Sequence, residues 1–326
     1  MLLKKEMSKV QSVLNLILTR ECPKRCSFCF TGDYSKETEM SLDFIDRVLT
    51  RFSPDLINLL GGEPTGHSKF QEIIELMVQH NQKYQLVSNF LFSRRTLEYL
   101  LENFKCREGV LVNGMELFAQ DSRFRIFKKN WNTIFSKHKH LYSMMMSFTI
   151  ALNHTPDYFR KYIRTLKNEL TEIPTLRIGL DLSTTEIVNN KNYGNCILAI
   201  QEELPDSTIL FDCQVPMCIW DFDPNEKLYS YINLNPQCST TALDTFHDGS
   251  VINCYPSRHI KVDNIFDFNN VEDLRDEMRR QYREEERNQK DILEVCKTCR
   301  YYLSNECNSL CIGCYTGGHG MDPKEI

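Results

Sequence analysis

No run of apolar residues in this 326-residue chain is long enough to cross a bilayer. The most apolar late stretch, Tyr142 to Leu152, is too short and too polar at its ends. The start, Met1 to Leu18, sets lysines ahead of an apolar run but has no small-residue cleavage site, so no secretory signal is read there. Excess charge is missing too. Lys+Arg 39 against Asp+Glu 44 leaves a net charge of −5, which argues against a broad nucleic-acid footprint, local basic patches aside. The chain, 25% charged and 41% hydrophobic, is an ordinary globular composition, and its length suits about two domains. With 14 cysteines it falls well below the density of a small disulfide scaffold. The cysteines cluster instead in short spacings at two places, the pattern of metal sites in a reducing compartment. A cytoplasmic protein with no membrane and no nucleic-acid partner is expected.

The first cluster is Cys22, Cys26 and Cys29, spaced C-x3-C-x2-C directly after Val13 to Leu18. That apolar run reads as a strand, with the cysteines in the loop at its end. A closed zinc site or an all-cysteine [4Fe-4S] cluster takes four protein ligands. Three thiolates on a four-iron cube leave one iron open to a substrate or cofactor. A zinc site completed by a distant ligand, or free buried thiols, are the alternatives. Further on, the short run Leu56 to Leu60 ends in Gly61-Gly62-Glu63-Pro64. Two glycines let backbone approach a ligand closely, and Glu63 with exposed amides can grip an amino-acid-like head group.

Together the two motifs resemble the radical S-adenosylmethionine (SAM) superfamily, whose signature is CX3CXΦC followed by GGE at the end of the second barrel strand. Phe28 occupies the aromatic position. The resemblance implies that Cys22, Cys26 and Cys29 hold a [4Fe-4S] cluster, with SAM beside Phe28, Gly61, Gly62 and Glu63.

The chain beyond the cysteine loop alternates helix and strand. Ser41 caps a helix over Leu42 to Leu49, Leu56 to Leu60 is a strand, and Phe70 to His80 a helix with Ile73, Ile74, Leu76 and Met77 inward. Strands follow at Tyr84 to Ser88, Gly109 to Val112, Tyr142 to Leu152 and Leu176 to Leu182, with helices at Arg94 to Phe104, Arg125 to His138 and Asp157 to Asn168. This alternation predicts a parallel sheet with right-handed crossovers and functional loops at the strands' C-terminal ends. Six units fit the partial (β/α)6 TIM-like barrel that the resemblance implies. Ser88-Asn89 is similar to the family's dipeptide near the SAM ribose, with Phe90 where a glycine is usual. The fourth strand, Val110 to Gly114, resembles the family's, but Leu111 and Asn113 replace its serine and aspartate. Arg123, nine residues beyond Gly114, stands where related enzymes place an arginine that pairs with the SAM carboxylate, though Arg125 is nearby. Asn153 at the end of the fifth strand faces the same side, or is a plain turn asparagine. Asn189 to Gly194 reads as a connection. The boundary is set near Pro205, giving domains 1–205 and 206–326, with Thr208 to Phe211 a strand leading into the second.

The second domain holds the other cysteine cluster. Cys238 and Cys254 flank Asp248-Gly249, which reads as a hairpin turn between Leu243 to Phe246 and Val251 to Ile252. Cys296, Cys299, Cys307, Cys311 and Cys314 follow in short spacings; a zinc ribbon would account for four of them. The arrangement resembles the SPASM domain of radical SAM enzymes, CX9-15GX4C then CX2CX5CX3C, except that seven residues separate Cys299 from Cys307. The resemblance implies two auxiliary [4Fe-4S] clusters. Cys238, Cys254 and Cys311 would ligate the first, with Cys218, Cys213 or an open iron as the fourth position, and Cys296, Cys299, Cys307 and Cys314 the second. A cysteine left over would be a hydrogen-atom donor or an inert buried thiol. Cys106 and Cys196 read as structural. Between hairpin and ribbon, Val271 to Asp291 is a charged helix with one apolar stripe, Leu274, Met278 and Tyr282.

The resemblance thus implies an enzyme that cleaves SAM reductively and abstracts hydrogen from a substrate carbon, fed by an external low-potential donor such as flavodoxin or ferredoxin. The leading expectation is oxidation, crosslinking or epimerisation of a ribosomally synthesised peptide. A dehydrogenase or epimerase of a sugar, aminoglycoside or other small molecule is the alternative, and a zinc-binding scaffold without catalysis the third reading. Tyr255, where sulfatase-maturing relatives carry aspartate, argues against that activity. A leader peptide would be read by a separate partner or by the barrel.

Overall fold

Val13–Ile17 forms the first strand, β1, and its alternation sets the plan of the molecule. Leu14 and Leu16 are fully buried in the main apolar core, whereas Asn15 faces the other way. The computed structural model describes residues 12–26, 29, 38–103, 109–115, 117–138, 144–173, 175–181, 190–211, 217–219, 242–288 and 294–304. Helix α1 (Leu42–Phe52) starts at Ser41, whose Oγ accepts the Phe44 N–H at 3.2 Å, and buries Phe44, Ile45, Val48, Leu49 and Phe52 on the side of the sheet that carries Leu14 and Leu16. The unit then repeats: β2 (Leu56–Leu60), α2 (Phe70–Gln79), β3 (Tyr84–Ser88), α3 (Arg94–Asn103), β4 (Gly109–Asn113), α4 (Ser122–His138), β5 (Met144–Ile150), α5 (Pro156–Glu169), β6 (Thr175–Leu180), α6 (Lys191–Glu203) and β7 (Ile209–Phe211). Each strand from β1 to β7 lies parallel beside its predecessor. Right-handed crossovers that never reverse direction put every helix on one face, the singly wound arrangement of a TIM-like barrel.

The sheet does not stop at β1. Strand β8 (Ala242–Thr245) pairs parallel with β1, Asn15 opposite Asp244, and β9 (Val251–Ile252) and β10 (Lys261–Val262) continue it antiparallel to give ten strands among the described residues. The expected hairpin is present, its turn closed by Phe246 N–H to Ser250 O at 2.9 Å and Gly249 at φ 91. Both β7 and this hairpin lie past residue 205, yet they join the same sheet, one at each flank. Helix α7 (Val271–Asn288) buries Leu274, Met278 and Tyr282, as its stripe predicts, and two short helices follow at Glu294–Lys297 and Arg300–Leu303.

Several element ends shift by one to three residues from the sequence reading, and two differences bear on the site. Asn189 to Gly194 is not a connection throughout: α6 begins at Lys191, because Asn190 Oδ1 accepts the Asn192 N–H at 3.1 Å and caps it, and Tyr193 and Gly194 are buried. Helix α4 starts at Ser122 rather than Arg125, so Arg123 lies in its first turn.

The inner face of the sheet, opposite the helices, is unevenly filled. Asn15, Asn58, Leu60, Gln85, Val87, Met145, Ser147, Thr149 and Arg177 alternate with fully buried neighbours and keep partial exposure. In a fully packed TIM barrel such positions fill the interior. Here these described positions keep partial exposure, and six of the nine are polar.

Candidate metal centre

The cysteine loop leaves β1 and is fixed by backbone from the end of β2. The Gly62 N–H donates to Thr19 O and the Glu63 N–H to Glu21 O, both at 2.7 Å. A Cβ at Gly61, which sits at φ 144, would lie 2.3 Å from Thr19 O, and one at Gly62 would lie 2.2 Å from Glu21 O. The glycines therefore allow close approach, but to the cysteine loop itself. The Gly62 and Glu63 amides are spent on holding that loop.

Glu63 is 2% exposed and carries the second layer. Its Oε1 accepts from Thr65 Oγ1 at 2.7 Å and Ser88 Oγ at 2.8 Å, and its Oε2 accepts the Asn89 N–H at 2.7 Å. Burial raises its carboxyl above the ordinary range against the pull of these donors. Thus the end of β3 is tied to the end of β2. The Asn89 side chain continues toward the cysteines, Nδ2 lying 3.4 Å from Cys22 Sγ, and the Leu91 N–H donates to Asn89 Oδ1 at 2.8 Å. Phe90, in place of the usual glycine, takes the glycine-like conformation at φ 58 and is fully buried. Asn130 Nδ2 donates to the carbonyls of Phe90 and Phe92 at 2.9 and 3.0 Å, which clamps this turn.

Cys22, Cys26 and Cys29 are half-buried in one loop, with the Cys29 N–H donating to Cys26 O at 3.1 Å. Burial pushes the Cys22 thiol up to about 11; the Lys24 backbone N–H opposes this, and Glu63 and the two neighbouring cysteines reinforce it. Ligation to iron would therefore displace a proton from this thiol. Among the described residues no three His, Cys, Asp or Glu side chains converge on a single-ion site. Lys24, 3% exposed, extends Nζ to Asn113 O at 3.3 Å and ties the loop to the end of β4.

The remaining candidates divide. Phe28 lies outside the described residues. Arg123 pairs with Asp121, Nη2 to Oδ2 at 2.7 Å, and holds its carboxyl below the usual range. Asn153 is exposed in the turn after β5, while the next residue, His154, is 4% exposed, accepts the Ala151 N–H on Nδ1 at 3.1 Å and stacks on Tyr158. In the later cysteine set, Cys213, Cys238, Cys307, Cys311 and Cys314 lie outside the described residues, as does Cys106. Cys254 Sγ sits 2.9 Å from Ser257 Oγ and 3.6 Å from the Tyr282 hydroxyl. Cys218 is half-buried in the turn Met217–Ile219, and Cys296 and Cys299 are joined by the Cys299 N–H to Cys296 O at 3.1 Å. Cys196 is buried in α6, its thiol pushed up to about 12 by desolvation, which suits a structural role.

Two features escape a reading by motif. The hairpin packs Phe246 and Ile252 on Ile17, with Tyr255 and Leu60 at the edge, and Arg20 lies over the Phe246 ring at 5.7 Å. And a polar ladder crosses three strands: Asn58 Nδ2 donates to Asn15 Oδ1 at 2.7 Å, and Asn15 Nδ2 donates to Asp244 Oδ1 at 2.5 Å. Asparagine alternating with leucine along β1 and β2 is the one signal in the sequence that hints at it.

Comparison with known proteins agrees with this geometry. Residues 16–170 match the family model described as the Radical SAM superfamily. No curated protein sequence matches the chain. Among solved structures, SuiB of Streptococcus suis bound to S-adenosylmethionine is similar with a TM-score of 0.61 at 12% identity, over 90% of this chain and 71% of that one. SuiB bound to its precursor peptide SuiA gives 0.56 at 11% identity, over 80% of this chain and 64% of that one, so the chain spans about two thirds of that protein's length. The structure named "Native anSMEcpe with bound AdoMet and Cp18Cys peptide" gives 0.60 at 16% identity, over 95% and 91%. At these identities the likeness is one of fold.

Proposed function

We propose, from the premise that residues 16–170 form a radical SAM domain, that this protein is a radical SAM enzyme acting on a ribosomally synthesised peptide. The observation that carries the reading is the Cys22, Cys26 and Cys29 loop, locked by Gly62 and Glu63 at the strand ends and beside a polar inner face. These cysteines would hold a [4Fe-4S] cluster with one iron left for SAM. Bound there, the cluster and SAM would supply the one-electron chemistry for removing a hydrogen atom from a substrate carbon. The chain's own part is placement: Glu63 fixes β3 against β2, Lys24 fixes the loop against β4, and the inner face orients the substrate carbon and limits water. Gly61 and Ser88 at the strand ends, Arg123 in the first turn of α4 and Asn153 in the turn after β5 remain candidates for contact with SAM.

A peptide is favoured because the inner face presents carboxamide, hydroxyl and guanidinium groups that match backbone amides, and because SuiB and anSMEcpe were captured with peptides. For the later cysteines we propose auxiliary [4Fe-4S] clusters on Cys218, Cys238, Cys254 and Cys311 and on Cys296, Cys299, Cys307 and Cys314, with an external low-potential electron donor. The test is anaerobic reconstitution with iron and sulfide, followed by SAM and dithionite. Release of 5′-deoxyadenosine that disappears when Cys22, Cys26 and Cys29 become alanine is expected; release unaffected by that change, or none, refutes the reading. Candidate peptides should raise the yield more than sugars or aminoglycosides, and the reverse result assigns a small molecule. Zinc without iron or sulfide in anaerobically purified protein would identify a scaffold.

A further inference from the structure

We propose that Asn89 tunes the iron–sulfur site by donating a side-chain hydrogen bond to the sulfur of Cys22. This rests on the reading of the cysteine loop as the cluster site. The orientation of the Asn89 amide is fixed by its neighbours. The Leu91 N–H occupies Oδ1 at 2.8 Å, so the end of the amide that faces Cys22 Sγ, at 3.4 Å, is the NH2 donor. The backbone is held equally firmly, with the Asn89 N–H on Glu63 Oε2 at 2.7 Å and the Phe90 N–H on Ser88 Oγ at 3.0 Å.

Phe90 makes the arrangement rigid. Its left-handed backbone turns the chain back immediately after Asn89, and its ring is buried against Phe92 at 5.2 Å and Trp131 at 6.0 Å. A glycine would permit the same turn but would not anchor it. Asn89 is 6% exposed, so the bond to sulfur meets little competition from water. Potentials of iron–sulfur clusters respond to hydrogen bonds at the sulfurs. A donor at a ligating thiolate favours the reduced cluster, which carries the greater negative charge. Asn89 therefore makes the first electron easier to accept.

The experiment is a redox titration of the anaerobically reconstituted full chain, followed by electron paramagnetic resonance of the signal that changes when SAM is added. That signal separates this cluster from any others. For Asn89→Leu, neutral and without a donor, the ratio of reduced to oxidised cluster at a fixed potential should fall by up to about tenfold, equivalent to about 59 mV for a one-electron couple. Asn89→Gln should recover part of it. Should the leucine variant fail to take up iron, Asn89→Ser keeps a side-chain oxygen for the Leu91 N–H but is too short to reach Cys22, and the same shift is expected. An unshifted midpoint in an iron-loaded variant overturns the proposal. Iron loss in both variants with the fold intact also overturns it, since Asn89 would then build the loop rather than tune the cluster. A wild-type chain with no SAM-responsive cluster refutes the underlying functional reading as well.

Discussion

Asp244 is 8% exposed and has one described partner, Asn15, at 2.5 Å. Ionised, it can only accept. Asn15 must then turn Nδ2 toward it and Oδ1 toward Asn58, and Asn58 in turn donates Nδ2 and leaves its own Oδ1 without a described partner. Desolvation pushes the Asp244 carboxyl from an ordinary 3.8 up to about 6, against the Asn15 hydrogen bond. The folded chain thus holds a proton that the unfolded chain gives up. The stabilisation linked to it is full below about pH 3.8 and is lost as pH rises through about 6. Asp244→Asn keeps the shape and the contact without the charge. Denaturant unfolding should find that variant more stable at pH 7.5 by on the order of 2–3 kcal/mol, the gap shrinking as pH falls through 6 toward 4.5. A gap independent of pH would show that the carboxylate is not desolvated.

At the scale of elements, two turns carry the site, and substitution harms each in a different way. Gly62→Ala places a methyl 2.2 Å from Glu21 O, which is backbone and cannot swing away, so the β2 turn must part from the cysteine loop. Misplacement of about 1 Å at a reacting centre costs about 100-fold. A loss of that order in 5′-deoxyadenosine release is expected, with circular dichroism unchanged. In the β3 turn, Phe90→Gly removes the cost of a left-handed non-glycine residue, about 1–2 kcal/mol. It also empties a fully buried aromatic site, and Phe→Ala changes in cores cost about 3–5 kcal/mol. Packing wins, so chemical denaturation should show a net loss of about 2 kcal/mol despite the relieved backbone. How much of this is legible in the sequence depends on whether the signal is local. Leu56–Leu60 and Tyr84–Ser88 are readable residue for residue, because short apolar runs between turn residues admit few alternatives. Asn190 is not, since asparagine serves turns and helix caps alike. Nor is the use of Gly61 and Gly62: the sequence calls for close approach there but does not say to what.

At the scale of the whole molecule, the pairing of β8 with β1 is the least legible feature, because a contact between residues 229 apart leaves no local trace. It has energetic weight. Leu243 is fully buried in the core beneath β1, so Leu243→Ala should cost about 2–5 kcal/mol. Hydrogen exchange should show β1 amides losing protection along with those of β8, whereas a hairpin that folded separately would leave β1 unchanged. The cysteine loop after β1 was legible by place, since the apolar run before it marks the strand it leaves. The ladder from Asn58 to Asp244 was not, since nothing near Asp244 announces its partner.

The stitching of β8 to β1 also governs the order of events during translation. When β1 leaves the exit tunnel, its β2 edge can soon be satisfied, but the opposite edge must wait until residue 242 has been made. A nascent chain thus exposes one side of this strand, next to the cysteine loop, until the hairpin is made. A pause in elongation ahead of Ala242 should therefore lengthen the window for mispairing of that edge.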